Sequence, residues 1–444
     1  MARQIAFVLI CVLAGPIHAQ TSTAAATVFQ NVRIFDGKAG KLSGPSHVLI
    51  RDGKIERISS TPLPSDANTV LVEGGGRTLM PGLIDVHWHT ILARSTPAST
   101  MTAAPAYTYL VAGAEARDTL MRGFTTVRDV GGPAFGLKRA IDEGIAVGPR
   151  IYPSGAFITV TSGHGDFRQL FEVPRVIGGQ PTRMEVLGAA IVADTPDEVR
   201  IRVREQLMQG ATQIKLTGGG GVSSPHSPVD VSTFTEQELR AAVEAAENWG
   251  TYVTVHAFTS AAVQRAINAG AKCIEHAFLM DEATAKLMAE RGTWLSMQPL
   301  PEEMVKVFPP GSVQAQKFHE VLAGMDNAYK LAKKYKLKTA FGTDVLFSAE
   351  LAQRQGAILA SLARWYTPAE VLRMATSTNA ELLTLSGLRN PYPDKLGVIE
   401  EGALADLLLV DGNPLENLAL IADPGPSFVV IMKEGKIYKN TLSE

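Results

Sequence analysis

Two histidines stand two residues apart at the end of an apolar run, in the segment PGLIDVHWHT at residues 81–90. Side chains alternate between the two faces of a β-strand, so His87 and His89 are expected on one face and Trp88 on the other, in the core. Two imidazoles on one face of a rigid strand can bind one metal ion. For an isolated pair, exposed or packed histidines without a metal are the favoured interpretation, so the rest of the chain must decide whether a metal site is present.

Residues 81–388 alternate between short apolar segments and helix-like segments. Eight strands are predicted, at LIDVHWH, FTTVRDV, RIYPSGA, TQIKLT, YVTVHA, CIEHA, TWLSMQ and KTAFGTD. Helical patterns such as TEQELRAAVEAAENWG lie between most of them, and several end in glycine, the usual helix stop. This alternation, without a G-x-G-x-x-G motif opening the first unit, predicts an α/β fold of the (β/α)8 barrel type rather than a doubly wound sheet.

The two ends of the chain carry short alternating strands separated by DG, EG and GN turns. The segments VLIRDGKIERI and VVIMKEGKIYKN look like two equivalent hairpins. Neither end is long enough to form a good sandwich alone. We therefore predict one small β-sandwich built from residues 20–80 and 389–444, attached to the barrel.

Residues 1–19 resemble a cleaved signal peptide, with a positive charge at Arg3 and a short apolar stretch at residues 5–14. The alternative is an uncleaved anchor, although this stretch is too short to span a bilayer. Cleavage predicts a periplasmic or secreted protein in which Cys273 is the only cysteine, so that no internal disulfide can form. The net charge of −2 gives no reason to expect nucleic acid or an anionic membrane as a partner.

Side chains that could bind a metal lie at the ends of five of the eight predicted barrel strands. In barrel enzymes such side chains converge on one site even when they are far apart in sequence. The candidates are His87, His89, Lys215, His256, His276 and Asp344. Imidazole and carboxylate groups suit zinc, manganese or cobalt, and this number of groups suits two divalent ions. A protonated lysine is not a ligand, so Lys215 would have to be modified, for instance by CO2 to a carbamate that bridges two metals.

Taken together, these motifs resemble the amidohydrolase superfamily over nearly the whole chain. The matching segments are PGLIDVHWH, GATQIKL, VTVHA, CIEHA, FGTD and EGALADLLLVDGNPL. The lysine of the fourth strand is similar to that of the branch with two metals. TPDEVRIRVREQLMQGATQIKLTGGGG and TSGHGD resemble the Xaa-Pro/Xaa-Arg dipeptidase-like (prolidase-like) group, which includes amidases that release phenylalanine from ochratoxin-type aryl amides.

The resemblance implies a role for each ligand. It implies two divalent ions, most simply zinc, the more buried one held by His87, His89 and Asp344 and the other by His256 and His276, with carboxylated Lys215 bridging both. A hydroxide bridging the ions would attack the scissile carbonyl, which a metal polarises. Asp344 would act first as general base toward that water and then as general acid toward the leaving amine.

Four further residues are candidates for supporting roles. His164, in TSGHGDF, and His226, in the glycine-rich loop after the fourth strand, are predicted to contact the substrate. The alternative for both is a loop histidine without a role. Arg128 and Asp129 end the second strand, where they either support the metal site or form a buried pair. We favour a structural role for these two.

Two long connections, residues 161–195 and 297–320, are expected over the catalytic face. Loops of this length in a barrel are often lids or specificity elements. Their content is apolar with few charges, which suits a hydrophobic or aromatic substrate group. The alternative is that they bury these residues between the subunits of a homo-oligomer, an assembly that we also predict.

The sequence thus predicts a metal-dependent hydrolase that cleaves the amide bond of dipeptides, N-acyl amino acids or ochratoxin-like aryl amides. One alternative is a deaminase or a cyclic amidase of the imidazolonepropionase type, with a single metal. Another is a non-catalytic binding protein on the same fold. Loss of a ligand would have favoured the binding protein, but all six positions are filled.

Overall fold

The computed structural model describes residues 26–174 and 178–442. The predicted signal peptide, residues 1–19, lies outside the described residues. The described part is an α/β fold with mixed sheets. No helix in the described ranges is both long enough and apolar enough to cross a membrane.

Strands from both ends of the chain form one eight-stranded sheet. They are β1 Thr27–Ile34, β2 Pro45–Arg51, β3 Lys54–Ser59, β4 Val70–Glu73, β5 Thr78–Pro81, β16 Leu407–Val410, β17 Phe428–Lys433 and β18 Lys436–Asn440. Their order is β18-β17-β16-β5-β1-β2-β3, with β4 also beside β1. The first and last parts of the chain meet where β5 and β16 run antiparallel, with Leu79 opposite Leu409.

The middle of the chain supplies two parallel sheets. The first contains β6 Leu83–Trp88, β7 Phe124–Asp129 and β8 Arg150–Pro153. The second contains β9 Phe157–Thr159, β10 Ala190–Val192, β11 Ile214–Thr217, β12 Val253–Thr259, β13 Cys273–Leu279, β14 Trp294–Met297 and β15 Thr339–Phe341. Its order is β10-β9-β11-β12-β13-β14-β15. These strands are buried on nearly all positions, as expected of parallel strands covered on both faces.

One predicted strand is interrupted. The segment RIYPSGA was expected to form the third barrel strand, but the chain forms β8 in one sheet and β9 in the other. Gly155 lies between them with φ of +74°, a left-handed conformation that ends the extended run. The chain changes sheets at this glycine, and β9 and β10 were not predicted as strands.

Helices connect the parallel strands and cover them. They are α1 Pro97–Thr102, α2 Pro105–Met121, α3 Phe135–Asp142, α4 Arg183–Leu187, α5 Pro196–Gln209, α6 Glu236–Asn248, α7 Ser260–Ala269, α8 Glu282–Arg291, α9 Val313–Lys334, α10 Ala349–Gln353, α11 Gln355–Ala360, α12 Pro368–Arg373, α13 Asn379–Leu383, α14 Ala419–Ala422 and α15 Pro424–Ser427. Thr195, Thr235 and Asp281 accept hydrogen bonds from the first turns of α5, α6 and α8. Helix α5 ends at Gly210 and α8 at Gly292, both left-handed, as the glycines in the sequence predict.

A buried ion pair joins the eight-stranded sheet to the parallel strands. The guanidinium of Arg150, in β8, donates to both carboxylate oxygens of Asp406 at 3.1 and 3.2 Å, and both side chains are almost fully buried. Lys433, in β17, donates to the carbonyl of Gly148 at 3.0 Å. These contacts fix the terminal sheet to the amino end of β8.

We expect this pair to matter to stability because removing the charge of Asp406 leaves the buried Arg150 with only the exposed Glu434, at 3.6 Å, as an ion-pair partner. Asp406→Asn should lower the free energy of unfolding by about 3 kcal/mol. The measurement is reversible urea denaturation. The matched control is Asp394→Asn, whose partner Lys54 lies in an exposed pair at 2.9 Å. The control substitution should lower the free energy of unfolding by less than about 1 kcal/mol. An equal decrease in both variants would contradict the expectation.

Candidate metal centre and active site

Three histidines, from the end of β6 and from β13, meet at one carboxylate. The Nε2 atoms of His87 and His89 each lie 3.1 Å from Oδ1 of Asp344, and Nδ1 of His276 lies 4.0 Å from Oδ2. One candidate ligand atom from each of His87, His276 and Asp344 lies within 4.8 Å of the others. This cluster could hold a metal ion.

Lys215 and His256 lie beside this cluster. Both are almost fully buried on neighbouring strands, β11 and β12, and both line the same cavity as the other candidate ligands. The ring of His256 packs edge-on against that of His276, with centroids 4.5 Å apart. The amine of Lys215 makes no hydrogen bond to another described residue, and burial lowers its pKa below the ordinary lysine value. A buried amine without a hydrogen bond is an unfavourable arrangement unless nearby charges compensate for its burial, and the carboxylates of Glu275 and Asp344 do so only in part.

Each of the four histidines gives one ring nitrogen to a protein acceptor. The acceptors of His87, His89, His256 and His276 are, in that order, Glu275 at 2.7 Å, the carbonyl of Gly131 at 3.1 Å, the carbonyl of Gly220 at 2.8 Å and Oε1 of Gln298 at 2.6 Å. When a ring nitrogen donates its hydrogen, the opposite nitrogen keeps a lone pair for a metal. The donor set therefore fits divalent ions that prefer imidazole and carboxylate ligands.

The backbone is left-handed at two of these positions. His276 has φ of +78° and is followed by Ala277 at +51°, and Asp344 has φ of +53°. Such conformations cost about 1–3 kcal/mol each for residues with a Cβ, so the surrounding structure must impose them. At His276 the distortion breaks the alternation of strand β13. As a result, Glu275 and His276, adjacent in sequence, both reach His87.

A glycine after β15 lets Asp344 approach β6. A Cβ on Gly342 would lie 2.3 Å from Cβ of His87 and 2.6 Å from its backbone nitrogen. Only glycine fits at this distance. The backbone N–H of Asp344 then donates to the carbonyl of His87 at 2.8 Å, which fixes the carboxylate beside both histidines.

Glu275 is the residue that holds His87 in place. Its Oε2 accepts from Nδ1 of His87 at 2.7 Å, and its Oε1 accepts from Nη2 of Arg128 at 2.6 Å and from the hydroxyl of Thr254. All of these groups are buried. Burial alone would raise the pKa of Glu275, but Arg128 and His87 hold it well below the ordinary value. Glu275 is therefore an anion that fixes the orientation of the His87 ring.

Asp344 and the histidines beside it shift one another's pKa values. Burial would raise the pKa of Asp344, yet the adjacent His87 and His89 bring it well below its ordinary value. Burial would lower the pKa of His87, but the combined attraction of Asp344 and Glu275 outweighs burial and the pKa is raised. The pKa of His276 falls to about 3, chiefly because of burial. Asp344 is thus an anion at neutral pH, as a proton acceptor must be.

The two predicted substrate-binding histidines occupy different places. His164 lines the cavity, and its ring stacks on that of His256 with centroids 4.3 Å apart. His226 is exposed, lies outside the residues that line the cavity, and contacts Ser162 only through its backbone carbonyl. The structure therefore brings His164 to the site and leaves His226 on the surface, because the loop turns outward at Pro225 and His226.

The expectation for Arg128 and Asp129 needs a correction. They do not form a pair: Asp129 accepts from the backbone N–H groups of Thr90 at 2.7 Å and Gly131 at 3.1 Å, whereas Arg128 contacts Glu275. Successive residues of β7 face opposite sides, which separates the two charges. Arg128 supports His87 indirectly, because its guanidinium holds Glu275, and Glu275 accepts from Nδ1 of His87.

Apart from His164, Thr217 and Ser223, the rest of the cavity wall is apolar. Its volume is about 820 Å³, counting the opening to solvent. The two long connections contribute His164, Phe167, Leu300, Met304, Phe308 and Phe318, and the strands and remaining loops contribute Phe157, Val222, Phe258, Phe278, Leu346 and Phe347. Both connections therefore line the cavity, although Phe171 of the first is exposed to solvent.

Sequence reasoning missed Glu275 and Gln298. Glu275 directly precedes a candidate ligand in CIEHA, and strand alternation would place it on the opposite face from His276. Its one available signal was a charged residue in the middle of an otherwise apolar strand, which requires a buried partner. Gln298 follows β14, and its available signal was its place as the polar last residue of the predicted strand TWLSMQ.

The matches to known proteins agree with this site. The model of the Amidohydrolase family matches residues 78–439, so the chain belongs to the amidohydrolase family. One relative, ochratoxinase of Aspergillus niger, is 30% identical over 377 residues, which cover 81% of this chain and 75% of the relative.

Two crystal structures are similar over nearly the whole fold. An amidohydrolase has a TM-score of 0.85 at 37% identity, covering 94% of this chain and 100% of the other. A prolidase in complex with N-methylphosphonate-L-proline has a TM-score of 0.86 at 33% identity, with the same coverage. The resemblance predicted from the motifs is confirmed, and the chain is a hydrolase of carbon–nitrogen amide bonds.

We expect the Arg128–Glu275 contact to be a major source of stability at the site. Glu275→Gln leaves Arg128 without a buried anion, and the free energy of unfolding of the metal-free protein should fall by about 3 kcal/mol. Urea denaturation in the presence of a chelator measures it. The control is Glu290→Gln on the exposed face of α8, which should change stability by less than about 0.5 kcal/mol. If the Glu275 variant is as stable as this control, the Arg128–Glu275 contact is not a major source of stability.

Proposed function

We propose that this protein is a metal-dependent amidase that cleaves dipeptides, N-acyl amino acids or ochratoxin-like aryl amides. The observation that carries the proposal is the meeting of four imidazoles, a carboxylate and an unpartnered lysine in one apolar cavity. These groups come from β6, β11, β12, β13 and the segment after β15. A structural role alone would not require so many ionisable groups in one place.

The proposed architecture is a closed (β/α)8 barrel with a β-sandwich formed by both ends of the chain. Closure is supported where β15 approaches β6. The amide of Asn379 donates to the carbonyl of Ile84 at 2.7 Å and to that of Phe341 at 2.8 Å, so it links these two strands. In such a barrel the carboxyl ends of the strands surround one site.

We assign the ligands to two ions, with zinc as the proposed metal. His87, His89 and Asp344 would hold one ion, His256 and His276 the other, and Lys215, carboxylated by CO2, would hold both. When bound, the ions supply Lewis-acid polarisation of the scissile carbonyl and activate water. The unpartnered amine of Lys215 supports its carboxylation, since a carbamate replaces a positive charge with a negative one.

Asp344 is the proposed proton carrier. Its Oδ1 contacts His87 and His89, whereas its Oδ2 lies 4.0 Å from Nδ1 of His276, and Asp344 lines the cavity. As an anion, it accepts a proton from the attacking water and then donates it to the leaving amine nitrogen. His164, stacked on His256, is positioned to donate a hydrogen bond to the substrate at the rim of the same cavity.

The apolar wall supports a substrate with a large hydrophobic or aromatic group. Phe258 and Phe278 approach the metal ligands, and Phe308 and Phe347 lie farther along the cavity. Aromatic side chains favour aromatic partners. Ochratoxinase and the prolidase, both similar to this chain, suggest aryl amides and imide-type dipeptides as the first compounds to test.

A single-metal enzyme, such as a deaminase or a cyclic amidase, is the second candidate. It is favoured by the three ligand atoms of His87, His276 and Asp344, which gather most tightly. In that case Lys215 would remain an amine. The number of bound ions separates the two candidates.

We further propose export through residues 1–19 and assembly as a homo-oligomer. The exposed Leu170 and Phe171, in the first long connection, support an assembly surface. A truncated chain that begins at residue 20 can be compared with the full chain for location.

The first prediction concerns the metals. The purified protein should carry about two divalent ions per chain, and a chelator should abolish hydrolysis of a panel comprising Xaa-Pro dipeptides, N-acetyl-L-phenylalanine and ochratoxin A. Lys215→Ala should lose metal and activity, and acetate should restore part of both. Lys330→Ala, on the surface of α9, is the control. One ion in fully active enzyme would favour the second candidate, and no hydrolysis of any panel compound would reject the proposal.

The second prediction separates proton transfer from metal retention. Asp344→Asn keeps the side-chain shape and one ligand oxygen but cannot accept the proton. Its kcat on the best panel substrate should fall by roughly 10²- to 10⁴-fold while at least one metal stays bound. Asp197→Asn, at a highly exposed position in α5, is the control. A metal-loaded Asp344 variant with nearly normal kcat would exclude the assigned role.

A further inference from the structure

Lys317 is a buried cation that contacts one loop. It lies in α9, and its side chain is only a few per cent exposed. Its Nζ donates to the backbone carbonyls of Gly221 at 2.8 Å, Ser224 at 2.6 Å and Ser227 at 2.9 Å. Within residues 26–174 and 178–442, Lys317 forms no ion pair with a carboxylate. Its contacts are therefore specific to the loop that follows β11.

These three contacts require the charged form of the amine. An ammonium has three N–H donors and a neutral amine has two, so three acceptors match the ammonium. Burying a cation is costly unless hydrogen bonds compensate for lost hydration. Arginine would present a planar fork instead of a compact group and would not fit the same three carbonyls. Because the burial of this ammonium is costly, we expect its three hydrogen bonds to hold the loop after β11 in one conformation.

The loop held by Lys317 contacts His164. The hydroxyl of Ser224 accepts from the backbone N–H of Gly165 at 2.7 Å and lies 3.3 Å from Nδ1 of His164. Gly221 lies against the same ring, since a Cβ there would be 1.9 Å from Nδ1. Two of the three carbonyls that Lys317 binds therefore belong to residues in contact with His164 or its neighbour.

On the side of α9, Lys317 lies next to residues of the cavity wall. Phe318, next to Lys317, and Val321, one turn further along α9, line the cavity. Lys317 thus connects the α9 wall to the loop that packs on His164, and the His164 ring stacks on His256. We propose that Lys317 is a positioning residue: its ammonium fixes residues 218–229 and thereby holds His164 beside His256 at the substrate end of the cavity.

Hydrogen–deuterium exchange tests this link without any substrate or metal. In Lys317→Met, amides of residues 218–229 and 163–168 should exchange about tenfold faster, and the remaining protein should be unchanged. Lys330→Met, exposed on the same helix, is the control. If Lys317→Met does not fold, Lys317→Gln, which keeps two donors, replaces it. Ser224→Ala tests the same link from the loop and should accelerate exchange at residues 163–168.

A double-mutant cycle tests the effect on catalysis, and this part rests on the proposed function. With the best panel substrate, Lys317→Met should raise KM about tenfold with a smaller change in kcat, and His164→Asn should do the same. The double variant should be no worse than His164→Asn alone by more than about twofold, because both changes act through one ring.

Several results would overturn the proposal. They are unchanged exchange in both loops, faster exchange spread over the whole chain, and additive losses in the cycle. If no panel compound is hydrolysed, the proposed function fails, but the exchange experiment still decides the role of Lys317.

Discussion

The site depends on a buried charge pair, Arg128 with Glu275, which lie 2.6 Å apart. Two opposite charges in a region from which water is excluded attract strongly, and either one alone would be very costly there. The carboxylate of Glu275 is therefore held beside the guanidinium of Arg128, and its second oxygen orients the ring of His87. His87 in turn accepts the backbone N–H of Asp344 at its carbonyl and contacts the carboxylate through Nε2. One electrostatic constraint thus fixes the relative position of β6, β13 and the segment after β15.

Around this polar centre, the protein builds a cavity that is almost wholly apolar. The arrangement has two physical consequences. Each imidazole gives one ring nitrogen to an acceptor outside the central cluster, which leaves the other nitrogen for the cluster itself. A low-polarity wall also strengthens the interactions of any charge that develops during amide cleavage. Membership of the amidohydrolase family and similarity to ochratoxinase and a prolidase agree with a site of this kind.

The loops that complete the cavity are tied to the scaffold by polar contacts instead of apolar packing alone. Lys317 binds the glycine-rich loop after β11 through three carbonyls. Arg168 holds Asp166, two residues beyond His164, with contacts of 2.6 and 2.7 Å. A loop with four successive glycines at residues 218–221 has high conformational freedom and loses much entropy when it is ordered. A cation shared by several of its carbonyls compensates for that loss.

Local patterns in the sequence determined many of the secondary-structure elements and most of the candidate ligands. Alternation placed His87 and His89 on one face, and helix caps and glycine stops gave α5 and α8, because these features depend only on neighbouring residues. The strands also predicted which six side chains would share the cavity. Tertiary structure alone decided that Glu275 and not Asp129 is the partner of Arg128, and that His164 reaches the cavity while His226 stays outside. It also decided that Lys317 binds the carbonyls of the loop that carries His226. Those contacts join residues from 60 to about 150 positions apart. They depend on sheet register, on a left-handed backbone at His276 and on the course of loops, none of which leaves a periodic signal in the sequence.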